Sequence, residues 1–196
     1  MNLEKWFPTP IWYDFIDIDW KKVKEYCLAL EATDTQKLQL SNIGGWHSPQ
    51  LDIDSDSTLK PLFKVIQTKL NEVSQQIDPR FQVTITSAWI IINRGSSHNA
   101  KHYHPESALS GVVYVNADEN SGHIAFIRGD LKQHYPINTY DSELFNEEVT
   151  FKPEIGKILI FPSWIYHYVN SNQGDGTRIS IAFNTRQINK PDNNPY

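Results

Sequence analysis

The strongest strand signal in the sequence is the run Leu109-Ser110-Gly111-Val112-Val113-Tyr114-Val115-Asn116. Its second half consists mainly of valines and a tyrosine, and β-branched and aromatic residues favour the pleated, half-buried surface of a sheet. Comparable runs, separated by glycine, proline, asparagine and aspartate, recur through the second half of the chain. They cover residues 83–93, 123–128, 148–151, 157–161 and 178–185. Many short strands without intervening helices predict a β-sandwich or jelly roll.

Two amphipathic helices are predicted ahead of these strands. The first follows Asp19, a typical helix cap. Its apolar residues recur at spacings of three and four, and they are Trp20, Val23, Cys27 and Leu30. The second has one apolar stripe over residues 59–73, and the apolar, proline-containing segment 7–13 suits an edge strand or an arm across the core. We therefore expect a mainly β fold with N-terminal helices packed on one side.

The chain has 196 residues, with 39% hydrophobic and 21% charged residues, which is typical of one soluble globular domain. We expect a single domain over residues 1–196, in which 1–80 form an arm and helices on a β-core at 81–189. The net charge of -5 does not favour nucleic acid, because binding to it depends on neutralising phosphates. Cys27 is the single cysteine, so no disulfide framework is expected.

Two of the seven histidines lie close together in Lys101-His102-Tyr103-His104-Pro105. In extended backbone, residues two apart point to the same face, as two ligands of one ion must. A third, His167, follows the predicted strand at 157–161. Imidazole suits iron, zinc, copper and nickel, and three facial ligands leave positions open for substrate and oxygen. His102, His104 and His167 are therefore the candidate metal ligands and catalytic residues.

Arg178 and Ser180 stand at the start of the last predicted strand, shortly after His167. A guanidinium keeps its charge and binds carboxylates in bidentate fashion, and Ser180 adds a hydroxyl on the same strand face. The sequence thus contains the groups needed to hold a dicarboxylic co-substrate.

A family resemblance is carried by three motifs, and weaker ones lie at residues 7–12 and 41–48. The three are His102-x-His104-Pro105-x-Ser107-x-Leu109-Ser110-Gly111-Val112-x-Tyr114-Val115, Phe161-Pro162-Ser163-Trp164-x-x-His167 and Arg178-Ile179-Ser180-x-x-Phe183-Asn184. As a set they resemble the 2-oxoglutarate/Fe(II) oxygenases of marine bacteria and phages, distant relatives of prolyl 4-hydroxylases. The resemblance covers nearly the whole chain.

The resemblance implies a double-stranded β-helix, the jelly-roll architecture that cupins share. It implies that His102 and His167 ligate Fe(II), and that Arg178 and Ser180 bind the distal carboxylate of 2-oxoglutarate, with Tyr114 as a further contact. Fe(II), 2-oxoglutarate and O2 would then hydroxylate a peptide or small-molecule substrate and release succinate and CO2. Prolyl residues of a protein are the substrate suggested by analogy.

His104 departs from the wider superfamily, in which this position is usually Asp or Glu. Three neutral imidazoles leave more positive charge on a metal than two imidazoles and a carboxylate do. A three-histidine, cupin-like dioxygenase that uses no 2-oxoglutarate is therefore an alternative, although Arg178 and Ser180 argue against it. A non-catalytic jelly-roll binding protein is another, and a hydrolase is disfavoured because Ser110 and Ser163 lie in no nucleophile elbow.

The remaining histidines are expected to be structural, because a metal site needs several convergent ligands. They are His47, His98, His123 and His134. No signal peptide or apolar run of about 20 residues is evident, so we expect no membrane partner. We expect a location in the cytoplasm of a bacterium or a phage-infected host, and aromatic residues in the N-terminal arm would permit a homodimer.

Overall fold

The computed structural model describes residues 8–36, 38–128, 146–174 and 176–189. The N-terminal part contains β1 (Trp12–Phe15), α1 (Trp20–Thr33), β2 (Asn42–Ile43), β3 (Trp46–His47) and α2 (Lys60–Ile77). The strands that follow are β4 (Phe81–Asn93), β5 (His98–His102), β6 (Leu109–Asn116), β7 (Ile124–Ile127), β8 (Glu148–Phe151), β9 (Lys157–Pro162), β10 (Tyr166–Val169) and β11 (Arg178–Asn189).

The described strands form two antiparallel sheets. The six-stranded sheet has the order β1-β9-β6-β11-β4-β3, and the five-stranded sheet has the order β2-β5-β10-β7-β8. The long strands β4 and β11 pair along their whole length, and β6 pairs with the other edge of β11. From β4 onward the strands alternate between the two sheets, except that β7 and β8 follow each other within the five-stranded sheet. This arrangement is that of a double-stranded β-helix. The predicted fold is therefore confirmed.

The six-stranded sheet divides the interior in two, and β11 shows how. Successive side chains of a strand point to opposite faces. Ile179, Ile181 and Phe183 belong to an apolar cluster with the helices, which we call the helix-side core. Arg178 and Ser180 alternate with them and face the five-stranded sheet. We call the space between the two sheets the inter-sheet interior.

The two helices cover the outer face of the six-stranded sheet. Residue 19 caps α1 as predicted, since the Asp19 carboxylate accepts the Lys22 N–H at 3.1 Å. The start of α2 is stabilised one turn earlier by Asp56, whose carboxylate accepts the N–H of Thr58 and of Leu59. The apolar stripe of α2 packs on β4, and α1 packs near β6. This packing keeps the helices away from the inter-sheet interior.

The structure adds strands that the sequence pattern does not predict, namely β2, β3, β5 and β10. An N-terminal edge strand is present as β1, which pairs with β9 at the margin of the six-stranded sheet, but it covers residues 12–15 and so lies later than the predicted segment 7–13. Residue 7 of that predicted segment and the tail 190–196 lie outside the described residues. Within the described ranges, no helix is both long and apolar enough to cross a bilayer.

Candidate functional site

The three candidate histidines come together at one end of the inter-sheet interior. β5 and β10 pair antiparallel with His102 directly opposite His167, so both side chains leave the same face of the five-stranded sheet. His104 lies just after β5, where its backbone N–H donates to the Ser163 carbonyl at 2.9 Å. One ring nitrogen from each histidine lies within 4.8 Å of the other two. In the described part of the chain, no other such group of potential ligands is found.

Two of the rings are oriented by their own backbone. His102 Nδ1 lies 2.7 Å from the Ala100 carbonyl, and His167 Nδ1 lies 3.0 Å from the Ile165 carbonyl. A carbonyl only accepts, so each Nδ1 carries the hydrogen and each Nε2 keeps its lone pair. A backbone carbonyl on the far nitrogen is the usual partner of a metal-binding histidine. The rings are therefore prepared to bind an ion through Nε2.

Burial favours the neutral form of all three rings. It lowers the pKa of His104 to about 4 and of His167 to about 3, and the nearby His102 ring adds to both shifts. Burial also lowers the pKa of His102. None of the described residues that line the pocket around these three rings is acidic. The histidines are thus neutral near pH 7, which is the state that a transition metal requires.

A buried cation, the Arg178 side chain, lies across the inter-sheet interior from the histidines, on the wall formed by the six-stranded sheet. Arg178, the first residue of β11, is 2% exposed, and no described carboxylate pairs with it. Its Nη1 lies 3.3 Å from Ser180 Oγ, while its Nε makes no hydrogen bond. A buried charge is costly unless it is paired. Arg178 therefore provides a site for an anion inside the protein.

Tyr114 completes this wall, because it lies on β6 opposite Ser180 in the sheet register. Its hydroxyl is buried and makes no hydrogen bond, and the Arg178 guanidinium lies 5.0 Å from its ring centroid. Burial raises the pKa of Tyr114, and the neighbouring Arg178 charge partly opposes that rise. The phenol stays protonated at neutral pH and is available as a donor.

One pocket connects the histidines to this anion site. Among the candidate residues, His102, His104, His167, Arg178 and Ser180 line it, and Tyr114 lies beside it. The pocket residues that the sequence analysis did not single out for a site include Ser41, Trp89, Ile91 and Asn99. The place of Trp89 and Ile91 in the pocket could be predicted from the alternation of side chains along β4, because both face away from the helix-side core. Ser41 and Asn99 join the pocket by tertiary packing and have no such signal.

Of the histidines outside the candidate set, the three that the structure describes do not join the cluster. His47 is buried and stacks on Trp89 with a centroid separation of 5.8 Å, so it supports the pocket wall. His98 and His123 lie outside the cluster, and His134 is not among the described residues. Trp89 is half-buried and also contacts His104, so it belongs to the pocket wall.

The fold is a double-stranded β-helix, and its pocket combines a three-histidine cluster that could hold a metal ion with a buried arginine. The sequence matches the 2OG-Fe(II) oxygenase family over residues 87–184, half of the chain. The chain therefore belongs to the 2OG-Fe(II) oxygenase family, whose members are Fe(II)- and 2-oxoglutarate-dependent enzymes acting on small-molecule or peptide substrates. No curated protein sequence matches the chain.

Several solved structures are similar in fold to this chain, among them the following three. A Pseudomonas putida prolyl-4-hydroxylase is 12% identical, with coverage of 91% of this chain and 93% of that one and a TM-score of 0.67. A Trichoplax adhaerens prolyl hydroxylase in complex with a peptide is 14% identical, with coverage of 90% and 82% and a TM-score of 0.65. HygX from Streptomyces hygroscopicus, solved with nickel and 2-oxoglutarate, is 14% identical, with coverage of 91% and 83% and a TM-score of 0.59. At these identities the likeness establishes the fold.

Proposed function

We propose that His102, His104 and His167 hold Fe(II) and that Arg178 binds the distal carboxylate of 2-oxoglutarate, with Ser180 and Tyr114 as additional donors. The observation that carries this proposal is the buried Arg178, which has no described carboxylate partner and lines the same pocket as the histidines. The residues fit both the metal and the co-substrate. Three imidazole nitrogens are free for a metal, and the Arg178 Nε and the Tyr114 hydroxyl are buried without hydrogen-bond partners.

In this proposal the chain's residues bind, orient and exclude water. Arg178 and Ser180 fix one end of the co-substrate at the start of β11, and the histidines fix the other end through the metal. Tyr114 donates its phenolic hydrogen to the same distal carboxylate. When bound, Fe(II) and 2-oxoglutarate supply an oxidative decarboxylation with O2, which gives succinate and CO2 and hydroxylates the substrate. The apolar residues of the inter-sheet interior keep bulk water away.

With His104 in place of a carboxylate ligand, the site lacks one negative charge and is therefore more positive. With three neutral imidazoles and no acidic residue among the described lining residues, the ion and Arg178 together carry three positive charges. A dianionic co-substrate reduces this sum to one. The Coulomb attraction for 2-oxoglutarate is thus larger than in a site with one carboxylate ligand.

We propose a peptide or small molecule as the substrate, hydroxylated next to Trp89, which is half-buried beside His104. The peptide complex of the Trichoplax adhaerens enzyme supports a peptide, and HygX crystallised with hygromycin B supports a small molecule. The net charge of -5 disfavours nucleic acid.

We further propose that the 196 residues act as one cytoplasmic catalytic domain and that the exposed Tyr13 and Phe15 of β1 permit a homodimer.

The experiment that tests the co-substrate site is an anaerobic titration of the Fe(II)-loaded protein with 2-oxoglutarate, followed by its weak visible charge-transfer band. We expect saturation near one equivalent in the wild type and a strongly weakened band in Arg178→Ala. Arg186→Ala is the matched control, because Arg186 is an exposed arginine on the same strand. It should titrate like the wild type.

The absence of a band in protein that demonstrably holds iron would contradict 2-oxoglutarate binding at this site. It would favour a three-histidine dioxygenase that uses no 2-oxoglutarate. Equal weakening in Arg178→Ala and Arg186→Ala would show that the carboxylate is attracted by general charge and not by the buried site.

A further inference from the structure

Two buried serines and a half-buried asparagine next to the histidine cluster form a connected network. Ser110 Oγ lies 2.7 Å from Ser163 Oγ and donates to Asn184 Oδ1 at 2.7 Å. A hydroxyl has one hydrogen, so Ser163 must be the donor to Ser110. The network links β6, β11 and the turn between β9 and β10. Among the described residues, neither serine hydroxyl hydrogen-bonds to a histidine or a carboxylate, so neither is activated as a nucleophile.

This network ends at the residue that holds His104. The Ser163 carbonyl accepts the backbone N–H of His104 at 2.9 Å, and the Ser163 N–H donates to the Ala108 carbonyl at 3.3 Å. Both serines are essentially inaccessible to solvent. Buried hydroxyls that satisfy each other hold their backbone in one arrangement, since breaking one bond leaves two buried groups without partners. The position of Ser163, and with it that of His104, depends on the network.

His104 needs such support more than the other two histidines do. His102 and His167 each donate Nδ1–H to a backbone carbonyl, and both belong to paired strands. The His104 ring makes no hydrogen bond to any described residue and lies beyond the end of β5. Its main polar anchor is therefore its own backbone N–H on Ser163.

We propose that Ser110, Ser163 and Asn184 are positioning residues that hold His104 in place as the third metal ligand. This inference rests on the proposed function, in which His104 ligates the metal. The three residues belong to motifs that the family resemblance includes but to which the site itself assigns no role. Groups that orient a metal ligand typically change metal affinity about 10- to 100-fold when removed.

The test is a double-mutant cycle on metal binding without turnover. Co(II) is titrated into the metal-free wild type, Ser110→Ala, His104→Ala and the double variant, in competition with a chromophoric chelator. The visible ligand-field spectrum of Co(II) reports the ligand set at the same time. We expect Ser110→Ala to weaken Co(II) binding about tenfold in the wild-type background and less than about twofold in the His104→Ala background.

Ser74→Ala is the matched control, because Ser74 is equally buried in α2 and its hydroxyl has no partner. It should leave Co(II) affinity and spectrum unchanged. Asn184→Ala is the second network variant, since this half-buried residue tolerates truncation better than a fully buried serine. It should weaken Co(II) binding in the same direction as Ser110→Ala.

The outcomes separate this inference from the proposed function. Weakening by Ser110→Ala that is equal in both backgrounds, or absent in the wild-type background, overturns the positioning role and leaves three-histidine ligation intact. Unchanged affinity and spectrum in His104→Ala overturn both the third-ligand role and the network's purpose. Co-substrate binding, which the Arg178 titration measures, is untouched by either result.

Discussion

The helix-side core and the inter-sheet interior are separated by a single layer of backbone, yet they differ in chemistry. The helix-side core is apolar, whereas the inter-sheet interior combines apolar residues with a buried arginine and three histidines. On β11, Ile181 is 0% exposed on one face and Arg178 is 2% exposed on the other. The apolar side chains gain free energy by leaving water, whereas the arginine loses hydration without a described carboxylate to replace it. One strand therefore serves stability through one face and ligand binding through the other.

The largest effect is expected from removing side-chain volume in the helix-side core. Ile181→Ala leaves a cavity next to the helices and should lower the free energy of unfolding by about 4 kcal/mol. The Co(II) and 2-oxoglutarate affinities of the folded fraction should not change. Chemical denaturation and ligand titration measure the two effects. A large loss of ligand affinity would show that the two regions are not independent.

The reverse effect is expected in the inter-sheet interior. Arg178→Met replaces a buried, unpaired charge by an apolar side chain, so the unfolding free energy of the metal-free protein should stay equal or rise. Affinity for 2-oxoglutarate should fall by about 3 kcal/mol, roughly 100-fold, because a buried carboxylate loses its cation. Calorimetric titration and denaturation give both quantities. A strongly destabilised variant would contradict the division between the two faces.

The buried histidines predict a pH dependence for the inter-sheet interior. Their folded pKa values lie below the ordinary 6.5, at about 4 for His104. Between these values the unfolded chain binds protons that the folded protein does not, so stability is lost as pH falls from about 6.5 to 4. We expect His104 alone to account for a loss on the order of 2 kcal/mol in the metal-free protein between pH 6.5 and 4.5, and His167, with a pKa of about 3, adds to it.

His104→Gln, which cannot titrate, is the control for this loss. Its unfolding free energy should change less over the same interval, while Ile181→Ala should keep the wild-type slope. Identical slopes in the wild type and His104→Gln would show that other groups cause the acid sensitivity.

The smallest effect is expected for Tyr114→Phe. The Tyr114 hydroxyl is buried without a partner, so its removal should leave the metal-free protein as stable as before or slightly more stable. Affinity for 2-oxoglutarate should fall by about 1 kcal/mol, about fivefold, because one hydrogen bond to the carboxylate is lost. Val115→Ala, on the helix-side face of β6, should do the opposite and lower stability alone.

The sequence predicts the long elements and the residues of the site better than it predicts the short strands. The runs that became β4, β6, β9 and β11 are rich in β-branched residues, and the spacing of His102 and His104 is visible without a structure. By contrast, β5 contains His98-Asn99-Ala100-Lys101-His102, which has little strand propensity. It is a strand because β2 and β10 pair with it on both sides.

The pocket wall is the part that local pattern leaves undetermined. Trp89 has the pattern of a core aromatic, and its half-buried place beside His104 depends on the five-stranded sheet closing over that face of β4. Ser41 and Asn99 meet through a hydrogen bond of 3.2 Å between residues 58 positions apart. Such contacts are set by tertiary packing, which no periodicity in the sequence records.

The pairing of His102 with His167 has a consequence for the folding of the chain. An ion held by both closes a loop of 65 residues, counted from position 102 to position 167. The unfolded chain must give up the entropy of that loop to form the same contacts, and a bound metal opposes the reopening. The metal would then cross-link β5 and β10. Without it, the five-stranded sheet would unfold at a lower free energy than the six-stranded sheet.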